Sequence, residues 1–295
     1  MEKRQFGRTE MQVSVLGFGG AEIGFEGASQ GTVSDLLATA VETGVNVIDT
    51  AECYPGSEEL IGHAIHGKRR SFYLFTKCGH PDGLGKEDWR PESLLASIER
   101  SLRRLGVNYV DLVHLHSCSL EELKKGDVIA ALEKARDQGL TRYIGYSGDG
   151  AAARYAVDSG RFDSLQTSVS IADQEAIDLT LLRAAERKMG VIAKRPIANA
   201  AWRYEKLPPN SYHQPYWKRL RELDYDFLRG PDAAATALRF TLSQPVHTAI
   251  VGTKNPMRCK ENAELVGAGA LPQDQIQAIR RRWHDVAKKD WTGQI

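Results

Sequence analysis

Polar side chains recur in this chain where short β-branched runs end. Val45–Asp49 ends in an aspartate that is soon followed by Glu52, Cys53 and Tyr54; Phe72–Lys77 ends in a lysine; Val110–His116 carries His114 and ends in His116. Further on, Gly145-Tyr146-Ser147-Gly148 closes one run, Gln166 lies inside the next, Lys194-Arg195-Pro196 closes another, and the last leads into Gly252-Thr253-Lys254. Carboxylate, phenol, amine and imidazole are the groups that move protons in enzymes, and an amine can also form a Schiff base with a carbonyl. Alone, each has an ordinary use. An aspartate at a strand end forms turns and caps, a lysine is a surface charge, and a histidine is a satisfied core residue. His114 and His116, alternating with Val113 and Leu115, face the same side of their strand.

Whether these groups meet depends on the elements that carry them. The pattern predicts strands at Val13–Gly17, Val45–Asp49, Phe72–Lys77, Val110–His116, Thr141–Tyr146, Ser164–Val169, Gly190–Lys194 and Thr248–Val251. Helices are predicted at Thr32–Thr43, Glu58–His66, Pro91–Leu105, Asp127–Gln138, Ala151–Ser159, Asp173–Lys188 and Ala233–Ser243, with Pro256–Val266 and Pro272–Lys288 after the last strand. Gly44, Gly106, Gly139, Gly160 and Gly190 follow helical stretches, where glycine supplies positive φ. Arg90-Pro91 places proline at a helix's first position. Alternating strands and helices imply parallel βαβ units. Eight units predict an α/β fold of the (β/α)8 TIM-barrel type, whose strand ends share one mouth. Arg4–Phe6 and Gln12–Ser14 predict an N-terminal β-hairpin on the floor, and the last two helices are additions at the C-terminal side. Ile197–Gly230 is a long segment with Trp202, Tyr204, Tyr212, Tyr216 and Trp217. Such a loop is either functional or a cluster covering the barrel's side.

The 295 residues contain 42% hydrophobic and 26% charged residues, within the range of globular proteins. No linker or low-complexity tract interrupts them, so residues 1–295 read as one domain. The formal net charge of +1 implies no nucleic acid or other polyanion partner. The polar start is unlike a signal peptide, and no apolar run reaches the roughly 20 residues that span a membrane. Cys53, Cys78, Cys118 and Cys259 are scattered, without metal-site spacing. Free thiols fit a cytoplasmic protein; Cys53, beside Tyr54, is expected to be partly exposed. No heptad or interface helix indicates an oligomeric state.

The run Asp49-Thr50-Ala51-Glu52-Cys53-Tyr54 resembles the aldo-keto reductase signature D-T-A-x-x-Y. Thr76-Lys77 is similar to the family's lysine site, and Asp111-Leu112-Val113-His114-Leu115-His116 to its D-L-x-x-x-H strand. Val251 through Asn262 resembles the coenzyme segment ending in R-x-x-E-N. The likeness runs from about residue 5 to about residue 265. It implies an NADPH-dependent oxidoreductase that reduces a small carbonyl substrate, with Asp49, Tyr54, Lys77 and His116 as a catalytic tetrad. Tyr54 is then the proton donor. A free phenol titrates near 10; the resemblance gives Lys77 the part of lowering that value, Asp49 that of holding Lys77, and His116 that of orienting and polarising the carbonyl. His114 is left as a structural residue.

For the coenzyme, the resemblance assigns Arg258 to the 2′-phosphate and Glu261 and Asn262 to adenine. A helix starting near Pro256 places these three on one face. Lys254 adds a second charge and favours NADPH over NADH, and Gly252 and Thr253 belong to the same segment. Gly19 and Gly20 let the loop after the first strand approach the coenzyme. Ser147 and Gln166 match the positions that hold the carboxamide. Two departures stand out. Gly148 replaces the family's asparagine, leaving Asp149 or a water in its place. Arg195-Pro196 stands where an aromatic would stack; Arg195 can stack on nicotinamide or contact pyrophosphate or substrate, with Lys194 in support. Trp89, Trp202, Tyr204 and Trp217 are candidates for an apolar substrate pocket. The short tail ending in Trp291-Thr-Gly-Gln-Ile295 argues against bulky steroids.

Three other readings remain. Gly17-Phe18-Gly19-Gly20-Ala21-Glu22 begins like the Rossmann glycine pattern and breaks at its last position. Lys77 or Lys194 could serve a Schiff-base aldolase. The missing asparagine also suits an NADPH-binding redox sensor or regulatory subunit with little turnover.

Overall fold

The computed structural model describes residues 1–294. Strands β1 (Lys3–Gln5) and β2 (Gln12–Ser14) pair antiparallel. Eight parallel strands then close a barrel: β3 (Leu16–Gly19), β4 (Val47–Asp49), β5 (Tyr73–Cys78), β6 (Val110–His116), β7 (Thr141–Ser147), β8 (Ser164–Ser168), β9 (Gly190–Lys194) and β10 (Thr248–Gly252). The last of these pairs with both β9 and β3. The expected TIM barrel and its N-terminal hairpin are therefore present.

Around it lie α1 (Ala21–Phe25), α2 (Gln30–Thr43), α3 (Ser57–Ala64), α4 (Pro91–Leu105), α5 (Leu120–Lys125), α6 (Asp127–Asp137), α7 (Gly150–Ser159), α8 (Leu182–Glu186), α9 (Gln214–Leu223), α10 (Ala233–Leu242), α11 (Pro256–Gly267) and α12 (Gln273–Val286). Gly44, Gly106, Gly139 and Gly160 have the positive φ expected of helix ends, and Pro91 opens α4 behind Arg90. Gly190 does not share that conformation. Lys188 turns the chain there with φ 52°, and Gly190 starts β9 with no room for a β-carbon, which would lie 2.3 Å from the Phe6 ring.

The alternation of strand side chains explains where the core and the site sit. Toward the floor, Val47, Phe75, Leu112 and Ile192 form one apolar cluster with Phe6, Met11 and Val13 of the hairpin segment. Leu74, Val113, Leu115 and Ile144, on the opposite strand faces, pack in the cluster shared with the helices. Further along the inner faces the residues turn polar. The register places Gly252 beside Gly19, Gly19 beside Asp49, His116 beside Ser147, Ser147 beside Gln166, and Ser168 beside Lys194. Parallel strands in this register bring all of these to one end of the barrel.

Three expectations are corrected. Val13–Gly17 is not one strand: Asn46 donates its backbone N–H to Ser14 Oγ at 2.9 Å, Ser14 Oγ donates to the Leu16 carbonyl at 2.6 Å, and the chain passes from hairpin to barrel at Val15. Asp173–Lys188 is not one helix. The Asp173 carboxylate is buried against Tyr216 and Arg219, and Ser170 pairs with Asp173 through backbone bonds. The chain therefore becomes helical only after it, through a π-turn at Ile177–Leu181 and then α8. Finally, Ile197–Gly230 is not all loop. It contains α9, whose Tyr216, Arg219, Leu220 and Leu223 are buried at helical spacing and join a second apolar cluster with Ile279, Trp283 and Trp291.

Candidate active site

Lys77 Nζ lies 2.6 Å from Asp49 Oδ2 and donates to the Thr50 carbonyl at 2.8 Å; both charged side chains are only 2% exposed. Gln166 Nε2 donates to the other Asp49 oxygen at 2.9 Å, and Ser147 Oγ donates to Gln166 Oε1 at 2.8 Å. A continuous polar chain thus crosses the mouth, and each charge has a partner, as burial requires. The Lys77 ammonium also sits 5.1 Å from the centre of the Tyr54 ring, which meets His116 edge-on at 5.9 Å. Burial, and after it the negative charge of Asp49, hold the Tyr54 phenol well above the ordinary value of 10.0. Lys77 was expected to lower it. Here burial dominates, and Asp49 adds to it.

His116 is held on three sides. Its carbonyl accepts from His80 Nε2 at 2.7 Å, the His80 ring crosses it at 5.2 Å, and Cys53 Sγ lies 3.4 Å from its Nδ1. Burial and then Lys77 push the His116 imidazolium down, so the ring is neutral. Cys53 is buried rather than partly exposed, and burial raises its thiol to about 12. It remains S–H, so the contact accommodates the tautomer in which the thiol donates to Nδ1 and the ring proton sits on Nε2. His80 escaped the sequence reading because nothing in Gly79-His80 marks it. Trp89 stands edge-on to it at 5.6 Å, above Gly79. His114 is fully buried below, with Nε2 3.2 Å from Ser164 Oγ; Gly145 leaves it space.

A second buried ion pair joins Asp149 and Lys194 at 2.8 Å. Asp149 also accepts from Thr167 Oγ1 and the Ser168 backbone, each at 2.7 Å, so it is not free to replace the missing amide at 148. A side chain at Gly148 would collide with the Tyr146 hydroxyl, 2.4 Å from its β-carbon. Arg195 adopts φ 56°, donates from Nε to the Tyr212 hydroxyl at 2.5 Å and from Nη1 to Ser168 Oγ at 2.7 Å. The tail returns to the same place. Arg219 holds the Thr292 carbonyl at 2.7 Å, and Gly293 packs against Asp149 and Ser168.

Beyond Arg195, Ala198, Asn199 and Ala200 have φ of 46°, 54° and 49°. Residues with a β-carbon rarely take this conformation; the Ala198 N–H donates to the Arg195 carbonyl at 2.9 Å and the Ala200 N–H to the Ile197 carbonyl at 2.8 Å. Asn199 Nδ2 is buried there without an acceptor. Neighbouring β10 approaches β3 closely: a β-carbon on Gly19 would lie 3.2 Å from Gly252 N, and the Glu22 carboxyl rests on Gly252. Gly20, by contrast, packs on Ser57 and donates to the Asp49 carbonyl at 2.7 Å. Thr253 Oγ1 accepts from Asn255 N at 3.1 Å, and Lys254 pairs with Glu26 at 3.0 Å. Arg258, Glu261 and Asn262 stand on α11, and their side chains make no hydrogen bond or ion pair among the described residues.

Trp202, Tyr204 and Trp217 come together elsewhere. Trp217 Nε1 donates to the Tyr204 carbonyl at 2.9 Å, and both tryptophans pack on the second apolar cluster. Among the described residues no ring contact joins them to Tyr54 or His116; Tyr212 of the same segment reaches the mouth through Arg195.

Comparison with known proteins agrees with this fold. An uncharacterized oxidoreductase of Bacillus subtilis is 28% identical over 95% of this chain and 96% of its own length. L-galactose dehydrogenase of Arabidopsis thaliana is 27% identical over 100% of this chain and 98% of its own. A solved aldo-keto reductase from Bacillus halodurans, in its holo form, superposes with a TM-score of 0.85 at 25% identity, covering 99% of both chains. The profile of the aldo/keto reductase family matches residues 15–283, and the chain belongs to that family.

Proposed function

We propose that this protein reduces a small aldehyde or ketone to an alcohol with NADPH, Tyr54 donating the proton. The observation that carries the reading is the meeting of a protonated phenol, a neutral imidazole and a buried Lys77–Asp49 pair at one barrel mouth. The residues around the mouth suit a dinucleotide. The unpartnered Asn199 amide suits its pyrophosphate, Arg258 and Lys254 suit a 2′-phosphate, and Glu261 and Asn262 suit adenine. Ser147 and Gln166 keep acceptor lone pairs for the carboxamide despite their own bond. When bound, the coenzyme supplies the hydride that reaches the carbonyl carbon.

The remaining chemistry belongs to the chain. His116 Nε2–H and the Tyr54 hydroxyl both donate to the carbonyl oxygen, where negative charge develops. Tyr54 Oη then releases its proton to that oxygen, completing the alcohol. The phenolate left behind faces the Lys77 ammonium, which Asp49 and the Thr50 carbonyl hold in place. Gln166 fixes Asp49 in turn.

The test is NADPH oxidation with a panel of small aldehydes and ketones, comparing wild type with Tyr54→Phe. Turnover that falls by about 10²–10⁴ in the variant, with NADPH binding kept, supports the reductase. Tight NADPH binding with no turnover in the wild type supports instead a redox-sensing subunit, the reading favoured by the absence of any side chain at Gly148.

A further inference from the structure

At the mouth, Lys77, Lys194 and the half-buried Arg195 stand near the carboxylates of Asp49 and Asp149. Lys77 is paired with Asp49 and Lys194 with Asp149, but Arg195 has no carboxylate within ion-pair distance among the described residues. Its partners are two neutral hydroxyls, Tyr212 Oη on Nε and Ser168 Oγ on Nη1, while Nη2 donates to nothing described. The arrangement is built rather than incidental. The guanidinium lies over the Tyr212 ring at 5.4 Å, and the backbone of Arg195 is held in the left-handed region that a residue with a β-carbon avoids. By accepting from Arg195, the Tyr212 hydroxyl keeps its own proton free to donate. Among the described residues, Arg195 Nη2 and the Tyr212 hydroxyl proton are left as donors, an arrangement suited to an anion.

We propose that Arg195 and Tyr212 form an oxyanion subsite beside Tyr54 that selects carbonyl substrates carrying a carboxylate. The inference rests on the reductase reading and narrows it to a substrate class. Two sources of oxyanion compete for such a site, the coenzyme's phosphates and the substrate. The observation favouring the substrate is position: Arg195 holds Ser168, two residues along β8 from the Gln166 that holds Asp49, so it stands at the same mouth as the Lys77–Asp49 pair, and its charge also acts on the Tyr54 phenol. The unengaged Arg258 on α11 offers the phosphates a separate cation. An oxyanion bound at Nη2 would complete the charge balance of the mouth and fix the orientation of the carbonyl relative to Tyr54.

The experiment compares 5-oxopentanoate with pentanal, its uncharged counterpart of equal length, in the wild type, Arg195→Gln and Tyr212→Phe. The wild type is expected to prefer the charged aldehyde by roughly tenfold or more in kcat/KM, chiefly through KM. Arg195→Gln should erase most of that ratio, and Tyr212→Phe should reduce it about threefold. In parallel, binding of pentanoate to the NADP⁺-loaded protein is followed by calorimetry; Arg195→Gln should weaken it roughly tenfold. Equal turnover of the two aldehydes by the wild type overturns the proposal. So does pentanoate that binds only the coenzyme-free protein and is expelled by NADPH, which would give Arg195 to the phosphates. If no carbonyl is reduced, the reductase reading fails by itself, and the calorimetry still decides whether the carboxylate subsite exists.

Discussion

Gln166 donates to Asp49 over 2.9 Å from the far wall of the barrel, since β8 and β4 stand four places apart in the closed ring. The carboxylate that balances Lys77 is thus held from both sides of the mouth. Its two oxygens have different duties: Oδ2 faces the ammonium, and Oδ1 faces the amide.

This arrangement makes the Asp49–Lys77 pair costly to break singly. Asp49→Asn leaves a buried ammonium without its counter-charge and is expected to cost about 3–5 kcal/mol of stability, as is Lys77→Met for the stranded carboxylate. The double variant should cost clearly less than the sum of the two. Urea unfolding of all four proteins measures this; simple additivity would show that the two charges do not act as a pair. Gln166→Leu, which strips a hydrogen bond from the buried carboxylate, should cost about 1–3 kcal/mol.

The pH dependence follows from two opposite shifts. A group with a raised folded value stays protonated to higher pH, so the Tyr54 phenol remains an acid beyond its ordinary 10.0. A group with a lowered value stays deprotonated to lower pH, so the His116 ring remains neutral below its ordinary 6.5. Reduction should therefore run on a plateau wider than the interval between those two values, its acid limb below the histidine range and its alkaline limb above the tyrosine range. A rate profile for reduction that declines between pH 7 and 9 would contradict the burial-dominated shift of Tyr54.

Cys53 is expected to set the tautomer of His116. Cys53→Ser keeps a donor opposite Nδ1 and should retain most activity. Cys53→Ala removes it and should lower kcat about tenfold, more than it affects KM, because the Nε2–H no longer prevails. Nitrogen NMR of the His116 ring distinguishes this from a packing defect: the wild type and the serine variant should show the proton on Nε2, the alanine variant a mixture. A wild-type ring protonated on Nδ1 instead would make the thiol an acceptor and remove the argument.

Arg258→Ala should weaken NADPH binding roughly tenfold or more while leaving NADH affinity nearly unchanged, because only the former carries the 2′-phosphate that a guanidinium can clasp. Fluorescence titration with both coenzymes reads the ratio. Equal weakening of both would place Arg258 away from that phosphate.

The barrel was legible in the sequence because its strands and helices differ in period and are punctuated by residues with mechanical roles, as at Arg90-Pro91 and Gly106. Asp49, Tyr54, Lys77 and His116 could be placed together because parallel strands bring their ends to one face. What stayed hidden depends on tertiary partners. Nothing local to Asp173 announces that its carboxylate will be buried by α9, and this interrupts the helix expected there. The helical spacing of Tyr216, Arg219, Leu220 and Leu223 was present and would have revealed α9, but the surrounding aromatics and prolines masked it. Likewise, the pairing of Lys194 with Asp149, the seat of Tyr212 on Arg195 and the raised value of Tyr54 arise from segments far apart in the chain.

The β1–β2 hairpin, with Phe6 and Met11 driven into the bottom of the barrel, makes the site a blind well. Among the described residues this apolar plug fills the end of the barrel opposite the mouth, so reactants and products are expected to pass through the mouth. Access is then a matter of plumbing as much as of affinity, and the segments that carry Tyr212, Trp89 and the returning tail stand where it would be decided.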